Sequence, residues 1–185
     1  MENFMPVLAN IFGICAVALF VISYQMKSRR AIIALGAASR ILYVTQYILL
    51  GAFEGAALDI SGMIASILAQ KKDAKLIKKH LKLFIIGIDA VIVASGLLFY
   101  RNIFSLFPIV GVLLHTSAFW LEKEKHIRLV SLLGSPFWLV FNLTSGAYGS
   151  AIGDTLSIVS ILVAILRYDI LNKNKGEIKN EDHQS

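Results

Sequence analysis

A chain of 185 residues that is 57% hydrophobic and only 16% charged carries too little charge for a soluble domain of its length. Its mean hydropathy of +0.71 and pI near 9.5 agree with that. The formal charge of +6 forms no continuous basic stripe, because the cations fall between apolar segments; this argues against nucleic acid as a partner.

Seven apolar segments follow one another, in an all-α, polytopic pattern: Pro6–Gln25, Ala31–Leu50, Gly55–Gln70, Leu83–Phe99, Ile103–Leu121, Ile127–Ser145 and Ala151–Arg167. A bilayer core about 30 Å thick needs roughly 20 helical residues, and about 17 suffice. The third and seventh are short, and the Gly/Ala-rich connections before them can add a turn. Continuous helix is required, since backbone amides facing lipid must find partners within the segment. Met1-Glu2-Asn3-Phe4-Met5 holds no basic residue and no small-residue cleavage site follows, so the first segment is expected to be a retained span, not a signal peptide. Cys15, the lone cysteine, lies within it and supports neither a disulfide nor a metal framework.

The cations orient these spans. Lys27, Arg29 and Arg30 follow the first segment, and Lys71, Lys72, Lys75, Lys78, Lys79 and Lys82 follow the third. Lys123, Lys125 and Arg128 follow the fifth; Arg167, Lys173, Lys175 and Lys179 close the chain. Of 18 Lys and Arg, 16 lie on one side, Arg101 on the other and Arg40 inside a span, which places the N-terminus outside and the C-terminus in the cytoplasm. The lysine-rich connection could touch anionic headgroups, but its role as a topology signal is the stronger account.

A shift of 95 residues superposes the first three segments on the last three without a gap. Gly51-Ala52-Phe53 falls on Gly146-Ala147-Tyr148, Ala56 on Ala151, Asp59 on Asp154, Ala69 on Ala164, and Phe12, Ile14 and Ile32 on Phe107, Ile109 and Ile127. A unit of three spans would be inverted in its next copy unless a further span intervened, and the fourth segment is that spacer. The expected architecture is one membrane domain over residues 1–185: a first repeat over 6–82, a linker helix over 83–99, a second repeat over 100–172 and a polar cytoplasmic tail over 173–185. In such 3+1+3 parallel repeats the site lies near the midplane between halves.

These features carry a resemblance. The layout resembles the SWEET, PQ-loop and PnuC-like transporter superfamily. The run Phe107-Pro108-Ile109-Val110-Gly111, then Trp138-x3-Asn142-x3-Gly146 with Gly149 and Asp154, is similar to the YgjV-type bacterial inner-membrane proteins over roughly residues 8–170. The resemblance implies a SWEET-like fold and a bacterial plasma membrane, with no substrate and no functional residues carried over. A PQ-loop protein would have Pro-Gln where this chain has Tyr24-Gln25. Pro108 and Pro136 stand in the second half, while their counterparts are Gly13 and Ile41.

No metal spacing, phosphate-cradling glycine loop or nucleophile with a nearby base is present, so neither an enzyme nor a cofactor is expected. Arg40, Tyr43 and Tyr47 stand at i, i+3 and i+7, along one stripe of the second segment, and correspond under the repeat to Ser135, Trp138 and Asn142. These groups could grip a small polar solute by hydrogen bonds and stacking, or could simply pack, with Asn142 bonding between helices. Arg40 lies near the midplane, where insertion costs roughly 2.5 to 3.5 kcal/mol, so a partner or a wet cavity is expected. Asp59 is a candidate partner. Asp59, Asp89 and Asp154 outnumber Arg40, which leaves proton coupling as a hypothesis to be tested by the pH response of uptake and its loss in Asp154→Asn. His115, opposite Phe20 in the other repeat, could relay protons or bond between helices, the commoner arrangement. Gln46 and Ser157 are secondary candidates. Ser61, Ala65 and Ala69, beside Gly62 and Ser66, follow the small-xxx-small spacing of close helix packing.

The expected function is a small-molecule transporter or facilitator of the inner membrane, with lipid and a small polar solute as partners. The alternative is a non-transporting receptor or partner subunit whose polar residues only lock the helices. A homo-oligomer is compatible with these residues.

Overall fold

A computed structural model describes residues 4–51, 53–144 and 148–170. Residues 1–3, Ala52, Ser145, Gly146, Ala147 and residues 171–185, with the expected polar tail over 173–185, lie outside the described residues. Within them the chain is all-helical, with eight α-helices and no strand. These are α1 (Phe4–Gln25), α2 (Arg29–Leu49), α3 (Phe53–Gln70), α4 (Lys75–Lys79), α5 (Leu81–Leu98), α6 (Leu106–Phe119), α7 (Glu124–Thr144) and α8 (Tyr148–Ala164). A 3-10 turn over Ile103–Ser105 leads into α6, and a π turn over Ile165–Ile170 extends α8. The lysine-rich connection, expected as a plain link, carries α4.

Local chemistry sets the boundaries. Ser28 accepts a hydrogen bond from the Ala31 amide at 3.2 Å and so caps α2. Asn102 and Ser105 form a reciprocal capping box before α6. Gly51, at φ +68°, supplies the left-handed residue that ends α2, a conformation costly for any side chain with a Cβ. Pro136 sits inside α7, where it cannot donate to the carbonyl one turn earlier.

The helices close into a ring. α1 packs on α2, α2 on α3, α3 on α6, α6 on α7, α7 on α8, and α8 back on α1, while α5 lies outside against α3 and α6. Large apolar side chains such as Ile14, Leu83, Leu98 and Ile152 point outward and are exposed. Five helical stretches are long and apolar enough to cross a membrane: Val7–Tyr24, Arg29–Leu49, Leu81–Leu98, Glu124–Thr144 and Ser150–Ile170. The expected third and fifth spans are not among them. These are α3, rich in small and polar residues, and the short α6, and they are the two helices that α5 packs against. Their polar residues are buried: Asp59, Ser61 and Ser66 of α3 and His115 and Thr116 of α6, with Ser61 meeting Ser95 of α5 at 3.2 Å.

Two arginines seal the lysine-rich end. Arg29, at the start of α2, donates to the carbonyls of Ala69, Phe119 and Leu121, at the ends of α3 and α6. Arg128, on the second turn of α7, donates to Tyr24 O and Met26 O at the end of α1, at 3.3 and 2.9 Å, and pairs with Asp169 at 2.9 Å. The last carbonyls of a helix have no donor within it and gather its negative dipole end, so a guanidinium there satisfies both. Sequence reading placed Arg128 among the connection charges; the structure buries it to 2% exposure. Beneath these arginines Ile32, Ile33, Ala69, Ala118, Phe119 and Ile127 form an apolar cluster.

Candidate functional site

Inside the ring lies a cavity of about 40 Å³. It is lined by Phe20 of α1; Ser39, Arg40, Tyr43 and Tyr47 of α2; Asp59 of α3; His115 of α6; Ser135, Trp138 and Asn142 of α7; and Ser150 and Asp154 of α8. Every candidate solute-binding residue from the sequence is therefore on one wall or another of a single space, with two of the three candidate aspartates. Asp89 is not brought there. It stands on α5, outside the ring, and one of its carboxylate oxygens is buried without a partner among the described residues. Gln46 lines a separate lateral groove between α1, α2 and α8, and the Ser157 hydroxyl donates to Gly153 O within its own helix.

The polar groups of the cavity are largely engaged with one another. Arg40 Nη1 donates to Asp59 Oδ1 at 2.7 Å, and both residues are buried. Gly62 makes room for this pair, because a Cβ there would run into the guanidinium. Asn142 Nδ2 donates to Asp154 Oδ2 at 2.7 Å, joining α7 to α8. His115 Nε2 lies 3.0 Å from Ser131 O, a bond the ring makes only with that nitrogen protonated. His115 rests against Gly134 of α7 and Trp138 against Gly111 of α6, so each ring occupies the space left by a missing side chain on the other helix. Tyr43 and Tyr47 stack, with centroids 6.2 Å apart and planes 22° apart. The ring centroids of Phe20 and His115, positions 95 apart in the chain, lie at 5.8 Å.

Three lining residues went unread in the sequence. Ser39 precedes Arg40 and donates to Ala16 O at 2.8 Å, Phe20 was noted only as the counterpart of His115, and Ser150 sits at the start of α8. A stripe drawn through Arg40 alone could not include Ser39, which is 100° round the helix. A cleft of about 360 Å³ at the Arg101 end shares Tyr47, Asn142 and Ser150 with the cavity and is also lined by Glu54, Arg101 and Asn102. The opposite end is the one that Arg29 and Arg128 occupy.

A helical ring, apolar outside and enclosing a small polar space, defines an all-helical membrane protein. The chain belongs to the YgjV-type family of bacterial inner membrane proteins, which it matches over residues 7–171. No curated protein and no solved structure matches it.

Proposed function

We propose that this protein is a small-molecule transporter or facilitator of the bacterial inner membrane, built as two parallel three-helix repeats joined by α5, with its solute site in the cavity between them. The carrying observation is the convergence: polar or aromatic residues from all six ring helices line one space. Intramembrane polar residues are costly and mark solute pathways by default. Lipid and a small polar solute are its partners, and its role is passage, not catalysis.

Three observations support the repeat. Exchanging α1, α2 and α3 for α6, α7 and α8 leaves the packing pattern of the ring unchanged. The Ser39–Ala16 contact recurs 95 positions on, where a Cβ on Gly134 would stand 3.1 Å from Gly111 O. Phe20 touches its own counterpart His115, and the Arg29 amide donates to Glu124, its counterpart, at 3.1 Å. Residues that meet their equivalents lie beside a two-fold axis. With the lysine-rich end cytoplasmic, as its cations favour, the cleft at the Arg101 end opens outward and the arginines close the inside.

One observation favours the alternative of a non-transporting membrane protein. The cavity, about 40 Å³, has room for a few waters, since each needs about 10 to 15 Å³, and several of its polar groups already engage one another. Flux separates the two. A thermal-shift screen of the purified protein identifies a solute, and liposome uptake of that solute follows with Asn142→Ala. Transport predicts that uptake is lost while the unfolding temperature stays within a few degrees; a locked core predicts lower stability and no flux in either protein.

A further inference from the structure

We propose that the cavity binds a small organic monocation, an amine or quaternary ammonium, held between the Asp154 carboxylate and the rings of Tyr43, Tyr47 and Trp138. This deepens the transport reading and rests on the same cavity.

The argument is one of charge and remaining valence. The ionisable groups lining the space are Arg40, Asp59, His115 and Asp154, besides the tyrosines. Arg40 is committed to Asp59 at 2.7 Å. Asp154 receives only the Asn142 amide, which is neutral, and its other oxygen has no donor among the described residues. With His115 neutral and Asp154 ionised, the lining carries one uncompensated negative charge. A carboxylate away from water is costly unless a cation meets it, and an occupant bearing one positive charge would supply what Asn142 does not.

The remaining surface selects the kind of cation. Tyr43 and Tyr47 present stacked rings and Trp138 a third, and aromatic faces attract ammonium groups with apolar substituents. A divalent metal needs six or more oxygen ligands, or several retained waters, and the free oxygens here are few. An anion would need an uncompensated cation, and the charge of Arg40 is met by Asp59. A sugar ring is too large for a space of about 40 Å³, which holds a few waters. The volume limits the cation to a few heavy atoms unless the space widens into the adjoining cleft.

The test uses the full chain in detergent and then in liposomes, with methylammonium, choline, and the neutral isostere of choline in which carbon replaces the quaternary nitrogen. Methylammonium or choline is expected to raise the unfolding temperature in a saturable way, and the isostere is not. Asp154→Asn keeps an amide oxygen for Asn142 and so keeps the fold; it is expected to weaken cation binding about thirtyfold or more. Asp89→Asn, on α5, is expected to leave the affinity unchanged. Equal binding of the isostere, full affinity in Asp154→Asn, binding of potassium or sodium in place of both organic cations, or no response to either organic cation would overturn the inference. If a neutral solute then stabilises the protein and enters liposomes, the cation inference fails and the transport reading stands. If an organic cation binds through Asp154 yet never crosses the bilayer, the reverse holds.

Discussion

Arg40 and Arg128 are both buried guanidiniums paired to an aspartate at under 3 Å, yet the regions that hold them are built differently. Arg128 is fully used: two helix-end carbonyls, one carboxylate, and the Tyr168 ring 5.2 Å away. Arg40 makes a single hydrogen bond, its Nε has no partner among the described residues, and it borders open space. The end of the ring near Arg128 is closed by contacts that cross between helices distant in sequence, while the middle keeps slack. The proposed transport would need that inequality, with a firm seal at one end and an interior able to rearrange around a solute.

The comparison breaks first at Arg128. Arg128→Ala leaves Asp169 and two carbonyls without their donor, and breaking a buried pair in this way is expected to cost about 4 to 5 kcal/mol. Arg128→Lys keeps the charge but not the three-way reach and is expected to cost about 1 to 3 kcal/mol. Thermal or denaturant unfolding in detergent reads both. Equal stability in the Lys variant and the parent would mean that the carbonyl bonds contribute nothing.

Arg40→Ala is expected to cost less, about 3 kcal/mol, because the cavity lets water reach the stranded Asp59. The double variant Arg40→Ala with Asp59→Asn should recover most of that loss, as the uncompensated charge is gone. If the double variant is no more stable than Arg40→Ala, the two residues do not form the pair that the structure shows. Gly62→Ala probes the same pair from the side, since its Cβ would displace the guanidinium, for about 2 kcal/mol. Gly87→Ala on α5 has nothing within 4 Å and is expected to be neutral or to stabilise by up to about 1 kcal/mol through helix propensity.

The sequence was legible where one side chain breaks a pattern. An arginine in an apolar span must have a partner or water, and that reasoning pointed to Asp59. The stripe of Arg40, Tyr43 and Tyr47 and its repeat partners Ser135, Trp138 and Asn142 followed from helical spacing, and the structure gathers all six. Arg29 and Arg128 were illegible because a cation at a span boundary looks the same whether it faces water or the end of another helix. Only the three-dimensional meeting of α2 with α3 and α6, and of α7 with α1, distinguishes them. α3 and α6 were read as spans, and neither reaches the length and apolarity of the other five stretches. Span counting treats every helix as if lipid surrounded it, whereas these two pack against α5 and bury several polar residues. Asp89 shows the limit from the other side, since a carboxylate in an apolar run marks no particular face, and this one lies outside the ring.

Lys72 gives the smallest effect and the sharpest control. It lies at the same end as Arg29 and Arg128, and by sequence alone the three are equivalent topology charges. Its ammonium stands 3.3 Å from Glu122, whose side chain is 86% exposed, and 3.5 Å from Trp120 O. Water competes for both partners there, and holding two long side chains together costs rotamer freedom, so the pair is worth about 0 to 1 kcal/mol. Lys72→Ala should therefore shift the unfolding temperature very little, and what shift there is should shrink in added salt. The Arg128 effect, set in a place that ions do not reach, should hardly change with salt. A salt-insensitive loss at Lys72 as large as that at Arg128 would mean that charge at this end, and not burial against helix carbonyls, is what holds the ring closed.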